Sequence, residues 1–176
     1  MKAVLISIRP EWCERIISGE KTVEIRKNRP KLEPPFKCYV YCTYGRGLIE
    51  RFDAIYPNVL LVQTVSSRAC WGNCCNGKVI GEFICDKIVP VIVFENGSIQ
   101  NWKYYELEKA CVDYRIMADY IGSGKTGYGW HISDFKVYTA PKELDEFKVR
   151  RRSGDWSYAK SVKRAPQTWC YVEELT

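Results

Sequence analysis

The sequence is poor in features that define several large functional classes. It contains a single histidine, His131, in 176 residues. Catalytic arrangements that need two histidines are therefore excluded. No apolar run approaches the roughly 18–20 residues that a membrane-spanning helix requires, so we expect no membrane association.

An export signal is also lacking at the start. The segment MKAVLISIRPEW has one lysine before an apolar run that ends at Arg9 and Pro10, which is too short for a secretory signal core. We therefore expect a cytoplasmic location. The cysteines number nine, and an odd count in such a protein indicates reduced thiols rather than a disulfide framework.

Metal and phosphate motifs are incomplete in this chain. Cys70, Cys74 and Cys75 are close in sequence, but they form no Cys-x-x-Cys pair and His131 is distant, so we predict no metal site. The segment GSGKTGYG (122–129) lacks the glycine spacing of a P-loop, and no apolar strand precedes it. We predict a linking turn or a basic-tipped binding loop there, and no cofactor.

What the chain does have is one concentration of positive charge. The segment KVRRRSGDWSYAKSVKR (148–164) has seven basic residues and one acid, so it carries the whole formal net charge of +6. Aromatic residues lie among the cations, which suits phosphate contact and base stacking. The alternative is a solvated loop. The predicted nucleic-acid patch comprises Arg150, Arg151, Arg152, Trp156, Lys160, Lys163 and Arg164.

Short strand patterns outnumber helical patterns, which predicts an α+β fold, specifically a small mixed β-barrel with helices packed at its ends. A helix begins at Pro10, and a helical pattern from 103 to 121 is divided by Asp113 as an N-cap. Residues 78–94 form one strand or two, broken near Pro90. The predicted domain covers 1–147 with an insertion at 45–78, followed by a basic loop or extension at 148–164 and a last strand of the same domain at 165–176.

The predicted strand KTVEIRK (21–27) carries unusually many charges. Strand alternation places Thr22, Glu24 and Arg26 on one face. Because burying an unpaired ion costs several kcal/mol, we expect this face to line a solvated cleft. Glu82 is a second such charge, within the otherwise apolar VIGEFI; it either borders the same cleft or faces the surface at an edge.

Five segments occur in an order that resembles the ASCH domain (activating signal cointegrator homology) of the PUA-like superfamily. They are SIRPEW (7–12), GEKTVEIRK (19–27), CYVYCT (38–43), KVIGEF (78–83) and YGWHISD (128–134). The resemblance implies a PUA-like barrel whose charged strand lines a cleft beside the first helix. It also implies that the partner is RNA or a nucleotide-like ligand.

These implications define a predicted ligand site. Trp130 either stacks on a base at the cleft or packs in the core. The predicted ligand-binding residues are Arg9, Lys21, Thr22, Glu24, Arg26, Glu82 and Trp130.

A catalytic alternative also follows from the resemblance, because some ASCH relatives hydrolyse an acylated cytidine and a nuclease activity has been proposed for others. Their catalytic lysine and glutamate correspond to Lys21 and Glu82. Glu24 stands where those relatives have a nucleophilic threonine, so this chain departs from the pattern. The alternative to a binding module is thus a small amidohydrolase or nuclease acting on modified nucleosides or RNA through Lys21, Glu24 and Glu82.

Overall fold

The computed structural model describes residues 1–44, 75–100, 104–149 and 159–175. Strands predominate and the helices are short, so the predicted α+β class is confirmed. The elements are β1 (Lys2–Ile8), α1 (Pro10–Ile17), β2 (Val23–Arg26), β3 (Phe36–Cys42), β4 (Val79–Cys85), β5 (Ile88–Val93), β6 (Ile99–Gln100), α2 (Tyr104–Ala110), α3 (Tyr114–Ile121), β7 (Thr126–His131), β8 (Ser133–Lys142), β9 (Lys148–Val149), β10 (Lys160–Ser161) and β11 (Trp169–Glu173).

The chain divides into two compact units. Unit one comprises Met1–Ile17, Lys37–Phe83 and Phe135–Thr176, and unit two comprises Ser18–Phe36 and Ile84–Asp134. The domain boundaries predicted from the sequence stay predictions. Most of the predicted insertion at 45–78 lies outside the described residues.

Unit one is built on a five-stranded sheet in the order β11-β1-β3-β4-β8. Its β1 pairs in parallel with β3 and antiparallel with β11. Because β1 lies between two strands, its apolar run KAVLISI is buried from the second residue onward. One face of the sheet packs into a core that includes Leu5, Tyr39, Phe147 and Val172.

Unit two contains a four-stranded sheet in the order β2-β7-β5-β6. The sequence placed a strand break near Pro90, but the break lies between Cys85 and Ile88, and Pro90 is inside β5 opposite Tyr128. The two-residue β6 pairs only with the end of β5, so Pro90 lies where β5 has no described strand on its other side. A proline without an N–H is tolerated there.

The turn predicted at 122–129 is shorter in the structure, because β7 begins at Thr126. Gly127 lies inside this strand, and a Cβ there would be 2.7 Å from Cδ1 of Ile121. Glycine is therefore required for α3 to pack closely against β7.

The predicted division of the helical segment at Asp113 is confirmed. The Asp113 carboxylate accepts a hydrogen bond from the backbone N–H of Arg115 (2.8 Å), which is an N-cap contact for α3. Met117, Ala118 and Ile121 then recur at helical spacing on the buried face.

The described strands form three sheets, and none of these sheets closes into a barrel. The third is a two-stranded sheet of β9 and β10. The helices within the described ranges are also too short or too polar for any of them to cross a membrane.

Candidate functional site: a buried charge cluster and a basic hairpin

Three charged residues at β2 are brought together in unit two. Glu24 lies between two cations: its Oε2 is 3.3 Å from Lys21 Nζ, and its Oε1 is 2.9 Å from Arg26 Nη2. We call Lys21, Glu24 and Arg26 the charge cluster. The sequence predicted that these three residues converge with Glu82 at one cleft. The structure places the three in contact with one another, whereas the described contacts of Glu82 are with Tyr138 and Lys37.

The charge cluster is buried, contrary to the expected solvated face. Lys21, Glu24 and Arg26 are only 1%, 7% and 8% exposed. The expectation of solvent access rested on the cost of an unpaired ion, whereas each cation here contacts a carboxylate. Pairing and hydrogen bonding are what make burial of such groups tolerable.

Hydrogen bonds from Lys21 connect β2 to the C-terminal end of α2. Its Nζ donates to the carbonyl oxygens of Val23 (2.8 Å) and Ala110 (2.6 Å), and Ala110 is the last residue of α2. The backbone N–H of Thr22 donates to the carbonyl of Lys109 (3.0 Å). A cation at this position offsets the partial negative charge of the helix C-terminus.

The contacts of Lys21 define what its side chain can do. An ammonium group has three N–H donors, and Lys21 has two carbonyl oxygens and one carboxylate within reach. Its nitrogen is thus surrounded by the protein's own acceptors. This geometry matches a structural anchor rather than a base directed at a substrate.

Glu82 belongs to a separate polar network in unit one. Tyr138 donates its hydroxyl to Glu82 Oε2 (2.7 Å), and Lys37 Nζ is 3.4 Å from Oε1. Lys37 also lies 3.3 Å from a carboxylate oxygen of Glu174. Both oxygens of Glu82 are thereby engaged within its own unit.

The network perturbs the ionisation of its members. Burial, together with the hydrogen bond to Glu82, raises the pKa of Tyr138, so the phenol stays protonated and donates. Burial alone would lower the pKa of Lys37, but the hydrogen bond to Glu174 and the charge of Glu82 outweigh it, and the pKa is raised. The lysine is thus held as a cation between two carboxylates.

Two further predicted ligand residues have contrasting surroundings. Arg9 is exposed, and its guanidinium is 3.8 Å from Glu11. Trp130 is fully buried and meets Phe36 edge to face at 6.0 Å between ring centroids. The core interpretation of Trp130 is therefore the correct one, because a ring with no exposed surface cannot stack on a ligand base.

The basic segment forms the stem of a hairpin in unit one. Its two ends pair antiparallel, with Lys160 opposite Val149 and Ser161 opposite Lys148. We call the described parts of this segment, 148–149 and 159–164, the basic hairpin. Four of the predicted patch residues, Arg150, Arg151, Arg152 and Trp156, lie outside the described residues.

The hairpin was not predicted from the sequence, although its apolar residues offered a signal. Val162 is buried and Val149 packs against the same core. These two valines anchor the stem on the core of unit one, and the neighbouring cations lie outside that core. Lys148, Lys160, Lys163 and Arg164 are all exposed.

Within the described ranges, no group of three or more His, Cys, Asp or Glu side chains is arranged to hold a metal ion. Cys70 and Cys74 of the predicted cysteine-rich segment lie outside those ranges. Cys75 is buried.

A family comparison bears on the segment that holds the charge cluster. Residues 6–42 match the sequence model of the ASCH domain family. The resemblance to the ASCH domain is confirmed. This ASCH segment runs from β1 through α1 and β2 to β3, so it includes Lys21, Glu24 and Arg26.

Solved ASCH structures are similar to this chain in fold. The crystal structure of ASCH from Zymomonas mobilis aligns with a TM-score of 0.59 at 20% identity, covering 98% of this chain and 88% of that one. A mutant of the same protein aligns with a TM-score of 0.60 at 20% identity, covering 99% and 92%. At this identity the likeness shows the fold alone. No curated protein sequence matches the chain.

Proposed function

We propose that this protein is an RNA-binding ASCH module that holds RNA phosphates on the basic hairpin. One observation carries the proposal. The hairpin stem presents four exposed cations, and none of them makes an ion pair with any described residue. Cations on a fixed stem that have no ion-pair partner among the described residues are available to an external anion.

The distribution of charge favours a polyanion as that partner. The segment 148–164 carries the whole net charge of +6, and the rest of the chain is neutral. Electrostatic attraction for an anion is therefore concentrated at this segment. Neutralising several phosphates there would release counterions and make binding strongly dependent on salt.

In this proposal the charge cluster has a structural role and does not contact the RNA. It holds β2 against α2 through buried contacts. Binding of a nucleotide-like ligand by these residues in a PUA-like barrel stays a prediction, as does the hydrolase or nuclease alternative. The engaged nitrogen of Lys21 and the engaged oxygens of Glu82 favour the binding module over that alternative.

The test removes charge from the described stem without touching its apolar anchors. Lys160, Lys163 and Arg164 are replaced together by glutamine. Binding to a fluorescent single-stranded RNA is followed by anisotropy between 50 and 200 mM salt. With about 0.7 counterions released per single-strand phosphate contact, losing three contacts lowers the slope of log K against log salt by about 2.

A matched control removes three exposed cations elsewhere. Lys87, Arg115 and Lys136 are exposed, and their glutamine variant should bind RNA as the unmodified protein does. Equal loss in both variants would show that net charge alone drives binding. Full retention of affinity and slope in the hairpin variant would refute the proposal.

A further inference from the structure

The stem of the basic hairpin has a face that packs on the core and a face that points away from it. Val162 is buried and donates its backbone N–H to the carbonyl of Phe147 (2.8 Å), which is fully buried. Side chains alternate along a strand, so Ser161 and Lys163 point away from the core. Lys148 does the same, because it follows Phe147. We call Lys148, Ser161 and Lys163 the outer face of the hairpin.

Ser161 and Lys148 are direct neighbours across the stem, since they are register partners in the antiparallel ladder. The next pair, Val162 and Phe147, is a hydrogen-bonded pair. Ser161 and Lys148 therefore form a non-hydrogen-bonded pair, in which the Cα atoms are about 4.5 Å apart and the side chains are closest. A hydroxyl and an ammonium group thus lie side by side. Lys163 follows two residues along the same face, about 7 Å further.

The outer face presents hydrogen-bond donors that the described residues do not use. Its two lysines are exposed and Ser161 is partly exposed. No hydrogen bond or ion pair joins these three side chains to any other described residue. Glu146 precedes the ladder, but its Oε1 accepts from the backbone N–H of Glu143 (2.8 Å) and its Oε2 is 3.3 Å from Lys142 Nζ. Glu146 is therefore engaged within its own turn.

We propose that Ser161 donates its hydroxyl to a phosphate oxygen of the bound RNA, while Lys148 and Lys163 offset the charge of that phosphate. Serine hydroxyls and lysines are both groups that contact nucleic-acid phosphates, and a hydroxyl makes a short, strong hydrogen bond to an anionic acceptor. This inference rests on the proposed function and adds to it an uncharged contact at a stated residue. Because the phosphodiester group is the same in RNA and DNA, the contact is independent of the sugar.

The experiment separates the hydroxyl from the charges around it. Ser161→Ala removes the hydroxyl and keeps every cation. From the usual contribution of a hydrogen bond to a charged group, this variant should bind the fluorescent single-stranded RNA about 10- to 100-fold more weakly. The slope of log K against log salt should stay as in the unmodified protein, because the number of neutralised phosphates is unchanged. A DNA strand of equivalent sequence should show the same fold-loss.

Two variants serve as controls. Ser161→Thr keeps a hydroxyl at the same position and should retain most of the affinity that Ser161→Ala loses. Thr139→Ala removes an exposed hydroxyl from β8 in the same unit and should leave binding unchanged. Thermal unfolding of all three variants should give Tm values close to that of the unmodified protein, because surface substitutions stay within about 0.5 kcal/mol.

The outcomes distinguish this inference from the proposed function. If Ser161→Ala keeps full affinity while the hairpin variant loses it, Ser161 makes no phosphate contact and the cationic site stands. If Ser161→Thr binds as weakly as Ser161→Ala, the hydroxyl is not the contact and the inference is overturned. If Ser161→Ala weakens binding to RNA but not to DNA, the hydroxyl contacts the 2′-OH instead, which also overturns it. If neither strand binds the unmodified protein, both the inference and the proposed function are overturned.

Discussion

Replacing Lys21 by methionine removes a buried cation while keeping most of the side-chain volume. The change leaves the Val23 and Ala110 carbonyls without their side-chain donor and leaves Glu24 with one fewer cation. Losing one partner of a buried ion pair costs about 3–5 kcal/mol, and each unsatisfied buried carbonyl costs about 1–3 kcal/mol. Since Arg26 still neutralises Glu24, we expect a loss of about 3–5 kcal/mol in total.

The assay is thermal and urea unfolding followed by circular dichroism. For a chain of this length, 1 kcal/mol corresponds to about 2–4 °C in Tm, so Tm should fall by roughly 6–20 °C. Lys27→Met is the control, because Lys27 belongs to the same segment but is exposed. Its described contact is with the face of the Tyr120 ring. Its Tm should change by less than about 2 °C, since exposed substitutions stay within about 0.5 kcal/mol.

The opposite result would refute the structural assignment of Lys21. An unchanged Tm for Lys21→Met, with loss of RNA binding or of turnover on a modified nucleoside, would show that the ammonium serves a ligand. It would also restore the hydrolase alternative.

Three further outcomes follow from single groups. Asp113→Ala removes the side-chain acceptor of the Arg115 N–H and should cost about 1 kcal/mol of stability, measured by urea unfolding. Burial lowers the pKa of His131 in the folded protein, and the positive charge of Lys87 adds to this effect. As the pH falls, His131 is therefore protonated in the unfolded chain before it is protonated in the folded protein. The stability due to neutral His131 is full above pH 6.5 and is lost as pH falls through the folded pKa. The His131→Gln variant should lack this loss in unfolding midpoints compared at pH 7.5 and pH 5. Burial raises the pKa of Cys85 to about 12 and that of Cys170 to about 11, so iodoacetamide at pH 8 should alkylate them only after unfolding, as read by mass spectrometry, and rapid labelling of the folded protein would contradict this.

Local patterns were sufficient for most elements. The apolar run at 2–8, the start of α1 at Pro10 and the N-cap at Asp113 depend on neighbours in sequence, and the structure has each of them. The interpretation of Pro90 as a strand break was wrong. A strand tolerates proline where the adjacent strand is too short to reach it, because no acceptor there requires a backbone N–H. The length of β6 decides this, and no local pattern around Pro90 reports it.

By itself, the sequence determined the α+β class, the resemblance to ASCH domains and the single concentration of positive charge. It also grouped Lys21, Glu24 and Arg26, but it added Glu82 to them. Only the tertiary structure decided that the charge cluster is buried rather than solvated. The physical reason is that the energy of a charge depends on the groups around it. The acceptor at Ala110 is about ninety residues from Lys21 in sequence and meets it only when α2 packs against β2.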